Sequence, residues 1–97
     1  MNNLRERDYQ FYDCTVKELS WNEGHDALTI CCHYLNRDRI KILVSGVREY
    51  EYIEVMINHT IEYMIPSISE NGVLCYEVHF KQLEETSKIW AERMALV

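Results

Sequence analysis

Ala27-Leu-Thr-Ile-Cys-Cys-His-Tyr-Leu35 is the stretch that decides the fold. One face of it holds Leu28, Ile30, Cys32 and Tyr34, and the other holds Thr29, Cys31 and His33. A period of two with one apolar face is the pattern of a half-buried strand. Arg39-Ile-Lys-Ile-Leu-Val44 repeats it, with Ile40, Ile42 and Val44 inward and Arg39 and Lys41 outward. The link Asn36-Arg-Asp38 is turn chemistry, because Asn and Asp side chains bond their own backbone. The two segments are therefore expected to form a hairpin. Upstream, Phe11–Trp21 puts Tyr12, Cys14 and Val16 on one face and Asp13, Thr15 and Lys17 on the other. Asn22-Glu-Gly-His-Asp26 suits a hairpin loop in which Gly24 takes a positive φ. The chain is expected to open with a three-stranded meander.

Downstream, Ser45-Gly46 ends the third strand or bulges it. Arg48–Ile57 alternates Glu with Tyr and apolar residues, and Thr60–Ile65 is again strand-like. Pro66 fits a strand end or an edge. Asn71-Gly72 is a strong hairpin signal, and after it Leu74, Tyr76, Val78 and Phe80 share a face. Two stretches admit two readings. Over residues 53–65, β-branching and an Asn58-His59 turn favour strands. A helix is the alternative, with Ile53, Met56, Ile57, Ile61 and Met64 as its stripe. The tail from Glu84 to Val97 is read as a closing strand, or as a helix capped at Thr86 or Ser87. The expected architecture is mainly β, a small antiparallel sandwich or open barrel. The alternative is α+β with a helix in 53–65 or at the C-terminus. Ninety-seven residues suit a single domain, 1–97.

Composition narrows the function classes. With 47% hydrophobic residues, one Pro and three Gly, the chain is globular rather than low-complexity. It holds no apolar run near the ~18 residues a membrane helix needs. Its charged start, Met1 to Asp8, does not look like a secretory signal. A cytoplasmic location is expected, with Cys14, Cys31, Cys32 and Cys75 as free thiols and Cys14 and Cys32 as small core residues. Residues 1–48 carry seven Lys/Arg against seven Asp/Glu, and residues 49–97 carry three against nine. The whole excess of −6 thus belongs to the second half, which disfavours direct binding to nucleic acid or anionic membrane.

Catalytic motifs are missing from the sequence: no Gly-x-Ser-x-Gly and no phosphate-cradling glycine loop. His25-Asp26 reads as loop chemistry rather than a dyad. No enzyme activity and no cofactor is expected. Cys75 and His79 would stand about 13 Å apart on a strand, too far to share a metal. Cys31 and His33 would stand about 6.6 Å apart on one face. A metal site would arise only if Cys31 and His33 met Cys75 or His79 from a neighbouring strand, and none is assigned.

The most distinctive run is Glu49-Tyr50-Glu51-Tyr52-Ile53-Glu54. Alternation alone would bury Tyr50 and Tyr52 in a core and leave Glu49 and Glu51 in water. As an interface, the same run would pair tyrosine area and hydroxyls with glutamates that steer toward a basic partner. Glu49, Tyr50, Glu51, Tyr52 and Glu54 are the candidate interaction residues.

The layout of Phe11-Tyr-Asp-Cys-Thr-Val-Lys-Glu-Leu19, Leu28-Thr-Ile30, Arg39-Ile-Lys-Ile42 and Ser45-Gly-Val47 resembles small bacterial β-rich proteins of unknown function. Some relatives of those proteins are thought to be immunity proteins of toxin systems. The likeness covers the first half. It implies an all-β or α+β domain with a toxin-neutralising role, and it carries over no functional residue. The expected function is a non-enzymatic protein-interaction domain, such as an immunity or inhibitor protein, facing a basic protein partner. The rivals are a small-ligand or metal-binding β-barrel and a homodimeric structural subunit.

Overall fold

The computed structural model describes residues 10–69 and 72–97. Six strands are present: β1 (Cys14–Trp21), β2 (Ala27–Tyr34), β3 (Asp38–Glu51), β4 (Ile61–Ile68), β5 (Leu74–Phe80) and β6 (Ser87–Leu96). They form one antiparallel sheet in the order β1-β2-β3-β6-β5-β4. The chain is mainly β, as alternation predicts. Each half is a three-stranded meander, and the two meanders join where β6 pairs with β3.

The inner face of the sheet carries the core. Leu28, Ile30 and Cys32 of β2 pack beside Ile42 and Val44 of β3, and all are buried. In β5 and β6, Tyr76 and Val78 lie beside Ile89 and Ser87, also buried. The sheet curls until its two edges touch at one corner. There Asp13 N donates to Ile61 O at 3.1 Å, Val16 N to His59 O at 3.0 Å and Asn58 N to Val16 O at 2.7 Å. The Thr15 and Thr60 hydroxyls meet at 2.7 Å across the same corner. Lys81 forms an ion pair with Asp13 and lies over the Tyr12 ring at 4.1 Å. Among the described residues the edges meet only through this corner, so the sheet is curled but not closed.

Several local expectations change. Gly24 is not the positive-φ residue of the first turn; His25 is, at 57°. Asn22 Oδ1 accepts from the backbone N–H of Asp26 and Ala27, and this sets the loop geometry. Tyr12 does not join Cys14 and Val16 in the core. Asp13 at φ 67° breaks the alternation, so Phe11 is buried and Tyr12 is 42% exposed. The reading of 48–57 as one strand is also corrected. β3 ends at Glu51, and Ile53–Met56 forms a single 3-10 turn. The Asn58 turn is present, with φ 69°, and β4 follows it as a strand. The tail forms strand β6, not a helix, and lies in the middle of the sheet. Of the Asn71-Gly72 signal, Asn71 lies outside the described residues; Gly72 sits at φ 78° between β4 and β5.

Gly46 does not end β3: the strand runs through it, and the bulge falls two residues later, at Arg48. The register slips between Val47 and Glu49, and Gly46 holds φ 66°. A Cβ there would press on the Glu92 carboxylate at 2.5 Å. The flexible Glu92 can yield, whereas the left-handed backbone cannot, so the conformation dominates the cost. Gly46→Ala is expected to lower stability by about 1–2 kcal/mol in urea denaturation followed by circular dichroism. Adding Glu92→Ala should not rescue it. Gly46→Asn should lose less, because Asn tolerates the left-handed region better than Ala does.

Candidate functional site

The segment from Glu49 to Glu54 lies where β3 overhangs its neighbour. β2 pairs with β3 only from Asp38 to Ser45. The last residues of β3 are therefore bonded on one side alone, to β6, through Glu49↔Trp90, Tyr50↔Ile89 and Glu51↔Lys88. Directly opposed residues share a face of the sheet. Glu49 and Glu51 thus lie on the outer face with Trp90 and Lys88, and Tyr50 lies on the inner face at the open end. All three are exposed.

The expectation that Tyr50 and Tyr52 fill the core is overturned. Tyr50 is 42% exposed and Tyr52 63%. The bulge at Arg48 resets the alternation, and no third strand covers the overhang. Tyr52 then turns the chain in the left-handed region, φ 54°, and Glu54 falls in the 3-10 turn behind it. A bulky residue at positive φ costs of order 1–3 kcal/mol and persists only where neighbours hold it. The holder here is Ser87, fully buried, whose hydroxyl donates to Tyr52 O at 2.8 Å. The five candidate residues therefore wrap around one end of the sheet and do not share a face.

Two residues that sequence reasoning left out complete the surface. Trp21, at the end of β1, lies 5.2 Å from the Tyr50 ring and 4.9 Å from the His25 ring, centroid to centroid. A tryptophan closing a strand just before a polar turn was the signal available for it. On the outer face, Glu49 lines a groove of about 440 Å³ with Arg48, Ser69, Val73 and Trp90. Arg48 bonds Glu92 at 2.8 Å, and both side chains are well exposed. Lys88 sits between Glu51 on β3 and Glu77 on β5 in register. Unlike charges directly across strands stabilise the pairing modestly.

The other candidates separate. Cys31 and His33 lie on β2, Cys75 and His79 on β5, with β3 and β6 between them. Strands lie about 4.8 Å apart, which puts the two pairs roughly 14 Å from each other. Among the described residues, no group of three His, Cys, Asp or Glu side chains is placed to hold a metal. His79 Nε2 meets Glu77 Oε1 at 2.6 Å, and its ring stacks on Tyr63 at 4.4 Å. A carboxylate–imidazole pair serves as a general base only beside a nucleophile. No serine or cysteine among the described residues bonds this ring. The His25 ring packs at a 47° tilt against Trp21, while the Asp26 carboxylate accepts from Asn22 Nδ2 at 2.7 Å, so the two form no dyad.

No family model matches the chain, and no curated protein matches it. No helix among the described residues is long and apolar enough to cross a membrane.

The four cysteines are free, and they differ in access. Cys14, Cys32 and Cys75 are buried, and Cys31 is half-buried on the outer face. Burial pushes the Cys32 thiol up to about 12, with smaller contributions from Cys14 and Cys31. Burial also raises Cys14 and Cys75. The thiolate is the reactive form, so a raised pKa and burial both slow attack. Iodoacetamide at pH 8 should alkylate Cys31 first, with the other three at least about tenfold slower until denaturant is added. Mass spectrometry of peptides reads this directly. Removing the Ser87 hydroxyl leaves the Tyr52 carbonyl without its partner. Ser87→Ala should cost about 1–3 kcal/mol in chemical denaturation.

Proposed function

We propose that this protein is a non-enzymatic protein-interaction domain that presents Glu49, Tyr50, Glu51, Tyr52 and Glu54 to a basic surface of a protein partner, as an immunity or inhibitor protein does. The observation that carries the reading is the exposure of Tyr50, on the overhanging end of β3, and of Tyr52 just after it, where alternation would have buried them. Exposed tyrosines flanked by carboxylates offer stacking area and hydroxyls at small entropic cost, and the charge steers a basic partner. Trp21 extends the aromatic part of the surface. The backbone of the segment is held by Ser87 and by pairing with β6, so little ordering is lost on binding. Four unpaired thiols suit a reducing compartment such as the cytoplasm.

Edge pairing into a homodimer is the rival reading. Both edges carry features that oppose it. Bulges interrupt β1 between Val16 and Glu18 and β4 between Ile61 and Tyr63. Lys17, Glu18 and Glu62 are charged, and Pro66 in β4 has no N–H to donate.

Charge reversal separates the readings. The wild-type chain and the Glu49→Lys, Glu51→Lys, Glu54→Lys variant are each used to capture partners from the native host. Capture of a specific basic protein should fall at least about tenfold in the variant, as expected for loss of several interfacial charges. Stability should fall by no more than about 1 kcal/mol, chiefly because Glu51→Lys sets a like charge opposite Lys88, while all three residues are exposed. Equal capture by both chains refutes the reading. A light-scattering mass of twice 11.7 kDa with no other partner favours the homodimer.

A further inference from the structure

The outer face of the first meander has a charge opposite to that of the protein. Residues 17, 18, 31–33 and 39–41 line a groove of about 450 Å³ there. Register places Arg39 directly beside His33, and Lys41 directly beside Cys31. On the far side, β1 slips register between Val16 and Glu18, so Lys17 and Glu18 together oppose the Cys31 position. A bulge of this kind re-aims a side chain, and here it adds a third cation to the face.

Among the described residues, no ion pair neutralises these cations. The ion pairs among the described residues use Arg48, His79 and Lys81, and none involves Lys17, Arg39 or Lys41. Among the described residues, Glu18 is the sole carboxylate lining this groove. Like charges gathered on one sheet face destabilise it modestly unless something neutralises them. His33 adds ring nitrogens with no hydrogen-bond partner among the described residues.

We propose that this groove binds a small organic oxyanion, carrying phosphate or carboxylate groups, between Lys17, Arg39 and Lys41. Arg39 supplies a planar fork of donors suited to two oxygens at once, and the lysines supply point charges. The floor set by Cys31, His33, Arg39 and Lys41 spans about 7 Å along the strands and about 5 Å across them. That footprint holds one or two anionic groups. A polyanion would have to run past the rest of a chain of net charge −6, which repels it. The volume lies in the range of about 300–1,000 Å³ usual for small-ligand sites. This inference is independent of the interaction surface at Glu49–Glu54, which lies beyond the end of β2.

The test is an amide chemical-shift titration of isotope-labelled protein with inorganic phosphate and, separately, with citrate, at fixed ionic strength. Saturable shifts at residues 31–33 and 39–41 are expected with at least one of them. Response to phosphate alone assigns a phosphate ester, and response to citrate alone assigns a carboxylate. Arg39→Gln with Lys41→Gln should weaken binding at least about tenfold, as loss of two charge-assisted hydrogen bonds implies. Lys17→Gln alone should weaken it by a smaller factor, and Lys88→Gln should leave it unchanged. Shifts that never saturate with either anion overturn the proposal. So do saturating shifts that persist undiminished in the Arg39/Lys41 and Lys17 variants.

Discussion

The structure depends on the pairing of β3 with β6. The other strand pairings join strands within one meander, whereas this one joins the two halves of the chain. It runs from Ile42↔Leu96 to Glu51↔Lys88 and turns two three-stranded sheets into one six-stranded sheet. A three-stranded sheet has one apolar face and too little to cover it. Joined and curled, the two halves bury each other: Leu28, Ile30 and Ile42 from the first, Val78 and Ile89 from the second. The contacts between Asp13–Val16 and Asn58–Ile61 fix the curl, but they presuppose the seam.

The seam also explains the division of surfaces. β3 has fourteen residues; its start pairs with β2 alone, and its middle, from Ile42 to Ser45, is flanked on both sides. Its last stretch is flanked by β6 alone, so side chains that alternation would hide stand in water. The acidic segment is the tail of a core strand and inherits that strand's rigidity. The cationic groove sits at the start of the same strand, at Arg39 and Lys41, where β2 is the paired neighbour. One strand thus carries positive charge at its start and negative charge at its end.

β2 and the first part of β3 were legible in the sequence because their alternation is unbroken from Leu28 to Cys32 and from Ile40 to Val44. Legibility fails where a bulge resets the period, after Val16, Val47 and Ile61. Gly46 stands two residues before one of these; nothing in the residues near Val16 or Ile61 signals the others. Asp13 and Tyr52 take left-handed conformations that no glycine signals: the first leaves Phe11 inward and Tyr12 outward, and the second turns the chain at the end of β3. The separation of Cys31 and His33 from Cys75 and His79 depends on strand order. Strand order is a tertiary fact that no local pattern encodes. The glutamates at 49, 51 and 54 could be found from sequence, while Trp21 and Ser87 became visible as their supports only when distant segments met.

The strand at the centre of the sheet, β6, is the last of the six in chain order. A ribosome therefore delivers five strands before the one that unites them. Until β6 arrives, β3 and β5 each display a row of unsatisfied N–H and C=O groups beside apolar side chains, an invitation to strands of other molecules. Because β3 must wait for a partner some fifty residues downstream, the final zippering is a long-range event and slow relative to hairpin closure. Chains cut short before Ser87 would be left with that hazard permanently, and they are the species a cell's quality-control machinery would meet first.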